Sequence, residues 1–153
     1  MTLVRRALSH EDVSGALHVR YVVFVEEQGV PVDLERDERD ASADHVVAVQ
    51  DGVYVGAGRL VLEDPGYHGL DASLGPVGHL GRLAVVPETR GSGVGARLVR
   101  VIEECAGQRG LRLVYLGAQT HAEPFYGRLG YVTFGEEFDD AGLQHCHMWR
   151  QLS

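Results

Sequence analysis

A short glycine-rich segment, Arg90-Gly91-Ser92-Gly93-Val94-Gly95-Ala96, carries the clearest chemical signal in the sequence. Glycines let a backbone approach a bulky anion and adopt dihedral angles that a Cβ would forbid. The segment follows an apolar stretch and precedes a helical pattern, so its N–H groups would open a helix, where the dipole favours phosphate. The pattern predicts a pyrophosphate-binding loop. A strand-to-helix turn that needs glycine would explain the same residues.

Two common phosphate-binding loops do not fit this segment. A Walker loop needs Lys and then Ser or Thr after its last glycine, whereas Ala96 and Arg97 follow here and the chain has no lysine. A dinucleotide-binding fingerprint needs the spacing G-x-G-x-x-G, which Gly91 to Gly95 lack. A phosphate bound here would therefore belong to another cofactor.

Strands and helices that would position the loop follow from apolar periodicity and turn residues. Strands are predicted at 2–8, 45–50, 53–63, 77–86, 111–118, 131–138 and 143–151. Helices are predicted at 10–25, 93–110 and 119–130, with 26–44 mainly a loop. Asp51-Gly52 predicts a tight hairpin. The order predicts a mixed α/β (α+β) fold with one mostly antiparallel sheet, in which 77–118 forms a right-handed crossover between two parallel strands.

Composition predicts one globular domain over residues 1–153, with 44% hydrophobic residues. No apolar run approaches the roughly 20 residues of a membrane helix, and no signal-peptide core is expected at the N-terminus. Cys105 and Cys146 lie in no metal-type spacing, which favours reduced thiols in a cytoplasm. Basic residues that are all arginine suggest a GC-rich bacterial genome.

Charge is distributed unevenly along the chain, whose net charge is −8. Residues 26–44 contain eight acids and two arginines. Nucleic-acid binding is disfavoured, because phosphate contact needs a basic face. The acidic stretch favours a small cationic substrate, and a solvated acidic loop is the plainer explanation of the same charges.

Two motifs together resemble the GNAT superfamily of acyl-CoA N-acyltransferases. Arg90-Gly91-Ser92-Gly93-Val94-Gly95 matches its Arg/Gln-x-x-Gly-x-Gly/Ala signature, and Gln119-x-x-Ala122-x-x-Phe125-Tyr126-x-x-Leu129-Gly130-Tyr131 is similar to its second one. Further segments resemble the ElaA/YjcF branch, namely Phe24-Val25-Glu26-Glu27-Gln28-x-x-Pro31, His45 and Gly142-x-x-His145-x-x-Met148. The resemblance covers almost the whole chain.

The resemblance implies an acetyl-CoA site between two splayed parallel strands. Backbone groups of Leu83 and Val85 would pair with pantetheine, loop N–H groups would hold the pyrophosphate, and Arg90 would add charge. Gln119 stands where the family usually has a pantetheine-contacting Asn. The implied cofactor-binding residues are Leu83, Ala84, Val85, Arg90, Gly91, Ser92, Gly93, Val94, Gly95, Ala96, Gln119 and Phe125.

Tyr126 is the predicted general acid, because a positioned phenol can supply a proton to a departing thiolate. An aromatic residue packed beside Phe125 is the structural alternative. The family's usual strand glutamate falls near Gly81, so the base is expected to be a water backed by Glu26 or His79. Asp37 and His121 are further candidates. Neither cysteine lies in a motif, so no acyl-enzyme is expected.

The acceptor site is predicted from the acidic stretch and from the branch pattern. His145-Cys146-His147 has no third and fourth metal ligand in view, so no metal is predicted and His145 is assigned to the acceptor pocket. The predicted acceptor is a small-molecule amine, with neither nucleic acid nor membrane as partner. The predicted substrate-binding residues are Arg20, Phe24, Glu26, Gln28, Asp37, His121 and His145.

Two other functions stay open at this point. Arg20-x-x-x-Phe24 and Glu35-x-Asp37-x-x-Asp40 resemble acyl-homoserine-lactone synthases, although the tryptophan that these carry soon after the Phe is missing. A non-catalytic acyl-CoA-binding module is the other alternative, which the missing strand glutamate permits and Tyr126 opposes. A homodimer is neither required nor excluded.

Overall fold

The computed structural model describes residues 1–153. Its strands are β1 (Thr2–Arg6), β2 (Asp44–Gln50), β3 (Val53–Glu63), β4 (Val77–Val85), β5 (Leu113–Gln119), β6 (Val132–Asp140) and β7 (Leu143–Gln151). Its α-helices are α1 (His10–Arg20), α2 (Val32–Glu35), α3 (Val94–Gln108) and α4 (Glu123–Arg128). The strands form one sheet in the order β1-β2-β3-β4-β5-β7-β6, with one parallel pair and the remaining neighbours antiparallel. The predicted mixed α/β fold is confirmed.

Two compact units make up the chain. The first unit consists of residues 1–61 and 80–105, and the second of residues 62–79 and 106–153. The single domain predicted over residues 1–153 stays a prediction beside this division.

The first unit has a core formed by α1 and the strands beneath it. Ala16 and Val19 of α1 pack with Val47 and Ala57, all completely buried. The buried stripe of α1 also contains Asp12 and Arg20, at helical spacing on the same face. This face therefore buries two charges as well as apolar groups.

Helix α1 continues without a break into a π-helix, Tyr21–Glu27, and the two together span the helix predicted at 10–25. The Ser9 hydroxyl caps the start of α1 by accepting from the Asp12 N–H at 3.1 Å. The Asp12 carboxylate accepts from the Leu8 N–H instead of completing a capping box. Gly29 follows the π-helix with φ +74°, a left-handed conformation that glycine adopts readily.

The predicted hairpin at Asp51-Gly52 is confirmed. Asp51 has φ +52° and Gly52 has φ +80°, the left-handed pair that a two-residue type I′ turn requires. Farther along β3, a Cβ added at Gly58 would lie 2.8 Å from Ile102 Cδ1 of α3. Glycine at this position therefore lets α3 pack closely against β3 within the first unit.

A backbone irregularity in β4 was not predicted. Arg82 has φ +53° within this strand, a left-handed conformation that is uncommon for a residue with a side chain. Such a residue is typical of a β-bulge, which bends a strand and re-aims its side chains.

The second unit contains the antiparallel pairs β5–β7 and β6–β7 and the short helix α4. Leu70, Val77, Leu113 and Tyr115 are buried together in its core. A register shift in β6 between Phe134 and Phe138 interrupts its pairing with β7. The predicted strand and helix ends differ from the observed ones by a few residues, as is usual for terminal positions.

Candidate active site

The glycine-rich loop has the open backbone that a phosphate site needs. Gly91 and Gly93 have φ values of +80° and +86°, and a Cβ added at either one would meet nothing within 4 Å. Arg97 N–H donates to the Gly93 carbonyl at 3.2 Å, which makes it the first helical hydrogen bond of α3. The preceding N–H groups, which include those of Gly95 and Ala96, therefore have no intrahelical acceptor and suit an anion.

Arg90, which is predicted to add positive charge to the loop, is paired with a carboxylate in the structure. Its guanidinium donates to both Glu27 oxygens at 2.7 and 2.6 Å, and its Nε donates to the Val85 carbonyl at 2.9 Å. The Arg90 hydrogen bonds lower the pKa of Glu27, and the same bonds raise the pKa of Arg90. Arg90 thus holds the loop to Glu27, and its charge is already matched.

Three residues of β4, the strand before the loop, are among the predicted cofactor-binding residues; one is buried and two are half-buried. Ala84 packs in the core of the first unit, so only its backbone is available to a ligand. Leu83 and Val85 are half-buried. Arg82, with its left-handed backbone, lies immediately before Leu83, so it influences the direction of the next backbone groups of β4.

Arg20 was predicted to contact the acceptor, and its burial contradicts that role. Its side chain is 0% exposed, its Nε donates to Glu35 Oε2 at 2.8 Å, and its NH1 donates to Asp40 Oδ1 at 2.8 Å. Its NH2 donates to the Glu35 carbonyl oxygen and to Asp40 Oδ2. Arg20 is therefore a structural residue that fixes the acidic stretch to α1.

Two more arginines complete this arrangement in the first unit. Arg59 donates to Asp37 at 2.7 Å and to Asp40 at 2.8 Å. Arg82 donates from Nε to the Glu35 carbonyl at 2.9 Å and lies 3.4 Å from Asp37 Oδ2. We call the six residues the arginine–carboxylate network; they are Arg20, Arg59, Arg82, Glu35, Asp37 and Asp40.

The network changes the meaning of the acidic stretch. Burial alone would raise the pKa of Asp40, but hydrogen bonds and charges from Arg20 and Arg59 hold it far below its usual range. The hydrogen bond from Arg59 likewise lowers the pKa of Asp37. Both carboxylates are ionised and already paired with arginine, so neither is a general base, and the Asp37 candidacy is corrected.

Other predicted residues of this region lie nearer the solvent. Glu26 is exposed, Gln28 is half-buried, and Phe24 packs partly buried against the core. The buried His45 ring contacts the Asp40 carbonyl through Nε2 at 2.8 Å, which ties the network to β2. Among the predicted substrate-binding residues of this region, Glu26 is therefore the carboxylate that is accessible to a cationic molecule.

Tyr126, the predicted acid, lies on α4 in the second unit and is 8% exposed. Phe125 packs against it edge-on with ring centroids 4.9 Å apart, and Tyr131 does so at 6.1 Å. Its hydroxyl makes no hydrogen bond to another protein group. Burial raises the pKa of the Tyr126 phenol, which keeps the hydroxyl protonated at neutral pH.

Two predicted residues meet across a strand pair. Gln119 at the end of β5 is the register partner of His145 on β7. The His145 Nδ1 contacts the Leu143 carbonyl at 2.8 Å, and its ring packs on Phe138 at 5.5 Å. His121 lies on the following turn and is exposed. The second unit thus brings Gln119 and His145 together.

His79 belongs to a cluster of rings that the sequence did not reveal. Its Nδ1 lies 2.8 Å from Glu63 Oε2, and its ring packs against Tyr115 with a centroid distance of 4.9 Å. Tyr115 Oη in turn lies 2.6 Å from His147 Nδ1. We call this set the aromatic–histidine cluster; its members are Tyr67, His68, His79, Tyr115, Phe134, Phe138, His145 and His147.

Protonation in the cluster is biased towards neutral rings. Burial and the nearby His68 lower the pKa of His147, while burial raises the pKa of Tyr115. At neutral pH the Tyr115 hydroxyl therefore donates to a neutral His147. No group of three or more His, Cys, Asp or Glu side chains is arranged to hold a metal ion. None of the helices is both long and apolar enough to cross a membrane.

Comparison with known proteins assigns the chain to a family. The sequence profile of the acetyltransferase (GNAT) domain matches residues 6–152. The chain belongs to the GNAT acetyltransferases. Members of this family use acetyl-CoA as acyl donor. The predicted GNAT membership and the acetyl-CoA requirement are thereby confirmed.

Individual relatives agree with the branch that the sequence motifs indicated. The chain is 37% identical to the uncharacterised N-acetyltransferase YjcF of Bacillus subtilis over 145 residues, covering 94% of this chain and 96% of YjcF. It is 30% identical to protein ElaA of Escherichia coli over 147 residues, covering 95% and 91%. The crystal structure of an acyl-CoA N-acyltransferase from Pseudomonas aeruginosa superposes with a TM-score of 0.76 at 30% identity, covering 98% of both chains.

Proposed function

We propose that the protein is an N-acetyltransferase that moves an acetyl group from acetyl-CoA to the primary amine of a small cationic acceptor, by direct attack. The observation that carries the proposal is the open loop at the start of α3, in a chain of the GNAT family. Uncommitted N–H groups beside a helix N-terminus suit a pyrophosphate, which fits the family's acyl donor.

The donor would be held mainly by backbone. The N–H groups of Gly91, Gly93, Gly95 and Ala96 would bind the pyrophosphate, and Arg90 would keep the loop in place through Glu27. Backbone groups of β4 around Leu83 and Val85 would pair with pantetheine. The thioester supplies an activated acetyl carbon; binding and proton transfers are the work of this chain.

Tyr126 is the proposed general acid. Its protonated, unbonded hydroxyl can give a proton to the departing sulfur, help that is typically worth about 10²–10⁴ in rate. The proposed base is His79 or Glu26, directly or through water. Burial raises the pKa of Cys146, so this thiol stays protonated and is a poor nucleophile, which supports direct transfer over an acyl-enzyme.

An amine acceptor is supported by the relative from Pseudomonas aeruginosa, an acyl-CoA N-acyltransferase by description. A cationic acceptor is supported by the net charge of −8 and by exposed acids, which include Glu26, Asp33 and Glu38. The paired carboxylates of the arginine–carboxylate network give no such support. Both cysteines are free thiols, which agrees with a cytoplasmic enzyme.

The lactone-synthase alternative loses its main support. Its sequence pattern, Arg20 with Glu35, Asp37 and Asp40, is part of the arginine–carboxylate network, so fold stability explains the pattern without a special acceptor. The non-catalytic alternative predicts CoA binding without turnover and becomes an outcome of the experiment.

The experiment combines donor binding with an acceptor panel. Titration calorimetry with CoA should show binding by the wild type and at least about tenfold weaker binding by Gly93→Val, a change that fills the loop. Gly52→Val is the matched control, because Gly52 also has positive φ and open space at its Cβ. The protein is also incubated with acetyl-CoA and spermidine, glucosamine or a lysine-ended peptide. Free thiol should be released only when an amine is present, and an acetylated amine should form with it. CoA binding with no release on any amine would favour the non-catalytic module, and equal CoA affinity in Gly93→Val would refute the loop assignment.

A further inference from the structure

A carboxylate and an imidazole form a hydrogen-bonded pair within the second unit. Glu63 Oε2 lies 2.8 Å from His79 Nδ1, and the side chains are 9% and 27% exposed respectively. An ionised carboxylate only accepts hydrogen bonds, so His79 Nδ1 carries the hydrogen and Nε2 presents its lone pair. His79 Nε2 makes no hydrogen bond to another protein group. The pair thus leaves one basic nitrogen available on a partly exposed ring.

Neighbouring rings fix the orientation of His79. Tyr115 of β5 meets it edge-on at a centroid distance of 4.9 Å, and Tyr67 packs against it at 5.6 Å. Glu63, Tyr67 and Tyr115 are the titratable groups that face His79. Both phenols are neutral near pH 7. Glu63 is the carboxylate that hydrogen-bonds to the imidazole.

We propose that Glu63 and His79 form the general base of the reaction, with His79 Nε2 taking the proton of the acceptor ammonium and Glu63 as its positioning residue. The assignment rests on the proposed N-acetyl transfer. It favours His79 over Glu26, which is exposed and has no hydrogen-bond partner to orient it. It also accounts for Gly81 in β4, where the family usually supplies a glutamate, because His79 lies two residues earlier on the same strand.

The proton balance of the step is complete. An ammonium R–NH₃⁺ passes one proton to His79 Nε2, and the freed nitrogen pair forms the bond to the acetyl carbon. The carbon–sulfur bond breaks and its electron pair leaves on sulfur, which receives the Tyr126 proton. A second N–H proton of the acceptor restores the Tyr126 hydroxyl through water. His79 returns its proton to solvent, so one proton is released in each turnover.

The pH profile of kcat/KM separates catalysis from packing. The acidic limb of this profile reports the base of the free enzyme. His79→Gln should lower kcat/KM by about 10²–10⁴ and remove that limb. Glu63→Gln should lower kcat/KM by less than His79→Gln does, because the ring loses the carboxylate that orients it but keeps Nε2. Glu63→Asp, which keeps a carboxylate, should restore part of that loss. His10→Gln, at the exposed start of α1, is the matched control.

A second measurement does not depend on the acceptor. Two-dimensional ¹⁵N–¹H spectra of the histidine rings should show the Nδ1–H tautomer for His79 in the wild type and its loss in Glu63→Gln. An Nε2–H tautomer in the wild type would overturn the assignment, as would an acidic limb that survives His79→Gln in a folded, CoA-binding protein. If the wild type itself acetylates no amine, the proposed function fails, and the base assignment fails with it.

Discussion

The two units solve the problem of buried polar groups in opposite ways. The arginine–carboxylate network of the first unit pairs three guanidinium groups with three carboxylates, and each ion has fixed partners. The aromatic–histidine cluster of the second unit packs imidazoles and phenols around one carboxylate, Glu63. Ions paired in this way hold a structure but do not exchange a proton near neutral pH, whereas an imidazole can. In the proposed mechanism, the network therefore has a structural role, whereas His79 of the cluster takes a proton from the acceptor.

The network is broken most severely by removing Arg20. Arg20→Ala should cost about 3–5 kcal/mol, because Glu35 and Asp40 lose a fully buried counter-ion. Urea unfolding followed by circular dichroism measures the change. Arg36→Ala, an exposed arginine in the same stretch, should be within about 0.5 kcal/mol of the wild type. A stable Arg20→Ala protein would show that the network is not structural.

The cluster should tolerate a comparable change better. Tyr115→Phe removes the 2.6 Å hydrogen bond to His147 and keeps the ring, so the expected loss is about 0.5–1.5 kcal/mol. The same urea titration measures it. A loss as large as that of Arg20→Ala would erase the proposed difference between the two units.

Much of the fold was predictable because local rules agreed with the final packing. The Asp51-Gly52 hairpin and the loop at Gly91 and Gly93 depend on neighbouring residues alone. The left-handed Arg82 and the π-helix could not be predicted, since tertiary contacts impose such conformations on ordinary residues.

Less of the candidate site was predictable. The sequence indicated Tyr126 and His79 individually, but it gave no sign that Glu63 lies beside His79, because 16 residues separate them. The acids of residues 26–44 were interpreted as favouring a cationic substrate, because their pairing could not be read from the sequence. Their partners Arg20, Arg59 and Arg82 lie on other elements. Arg59, a charge between the apolar residues of β3, was the sequence feature that could have indicated that those acids are paired internally.

The unfolding free energy contributed by the two regions should also respond differently to pH, and this is the smallest of the effects expected. The folded-state pKa of His147 is lowered, so its contribution to stability is present above about pH 6.5 and is lost as the pH falls below it. The pKa values of Asp37 and Asp40 are also lowered, so their contribution persists until the pH falls below about 4. His147→Asn should therefore weaken the loss of unfolding free energy between about pH 8 and about pH 5.5. If the unfolding free energy of His147→Asn depended on pH as strongly as that of the wild type, the proposed difference between the two regions would be contradicted.

The most direct test of the central claim, that the second unit supplies the proton transfers, is the kcat of Tyr126→Phe. Free-thiol release is measured with saturating acetyl-CoA and the best amine of the panel, and acetyl-CoA affinity is measured on the same samples. Tyr21→Phe, an exposed tyrosine outside the second unit, is the control. We expect kcat to fall by about 10²–10⁴ in Tyr126→Phe, with acetyl-CoA affinity unchanged. A Tyr126→Phe enzyme that turns over as fast as the wild type would contradict the claim.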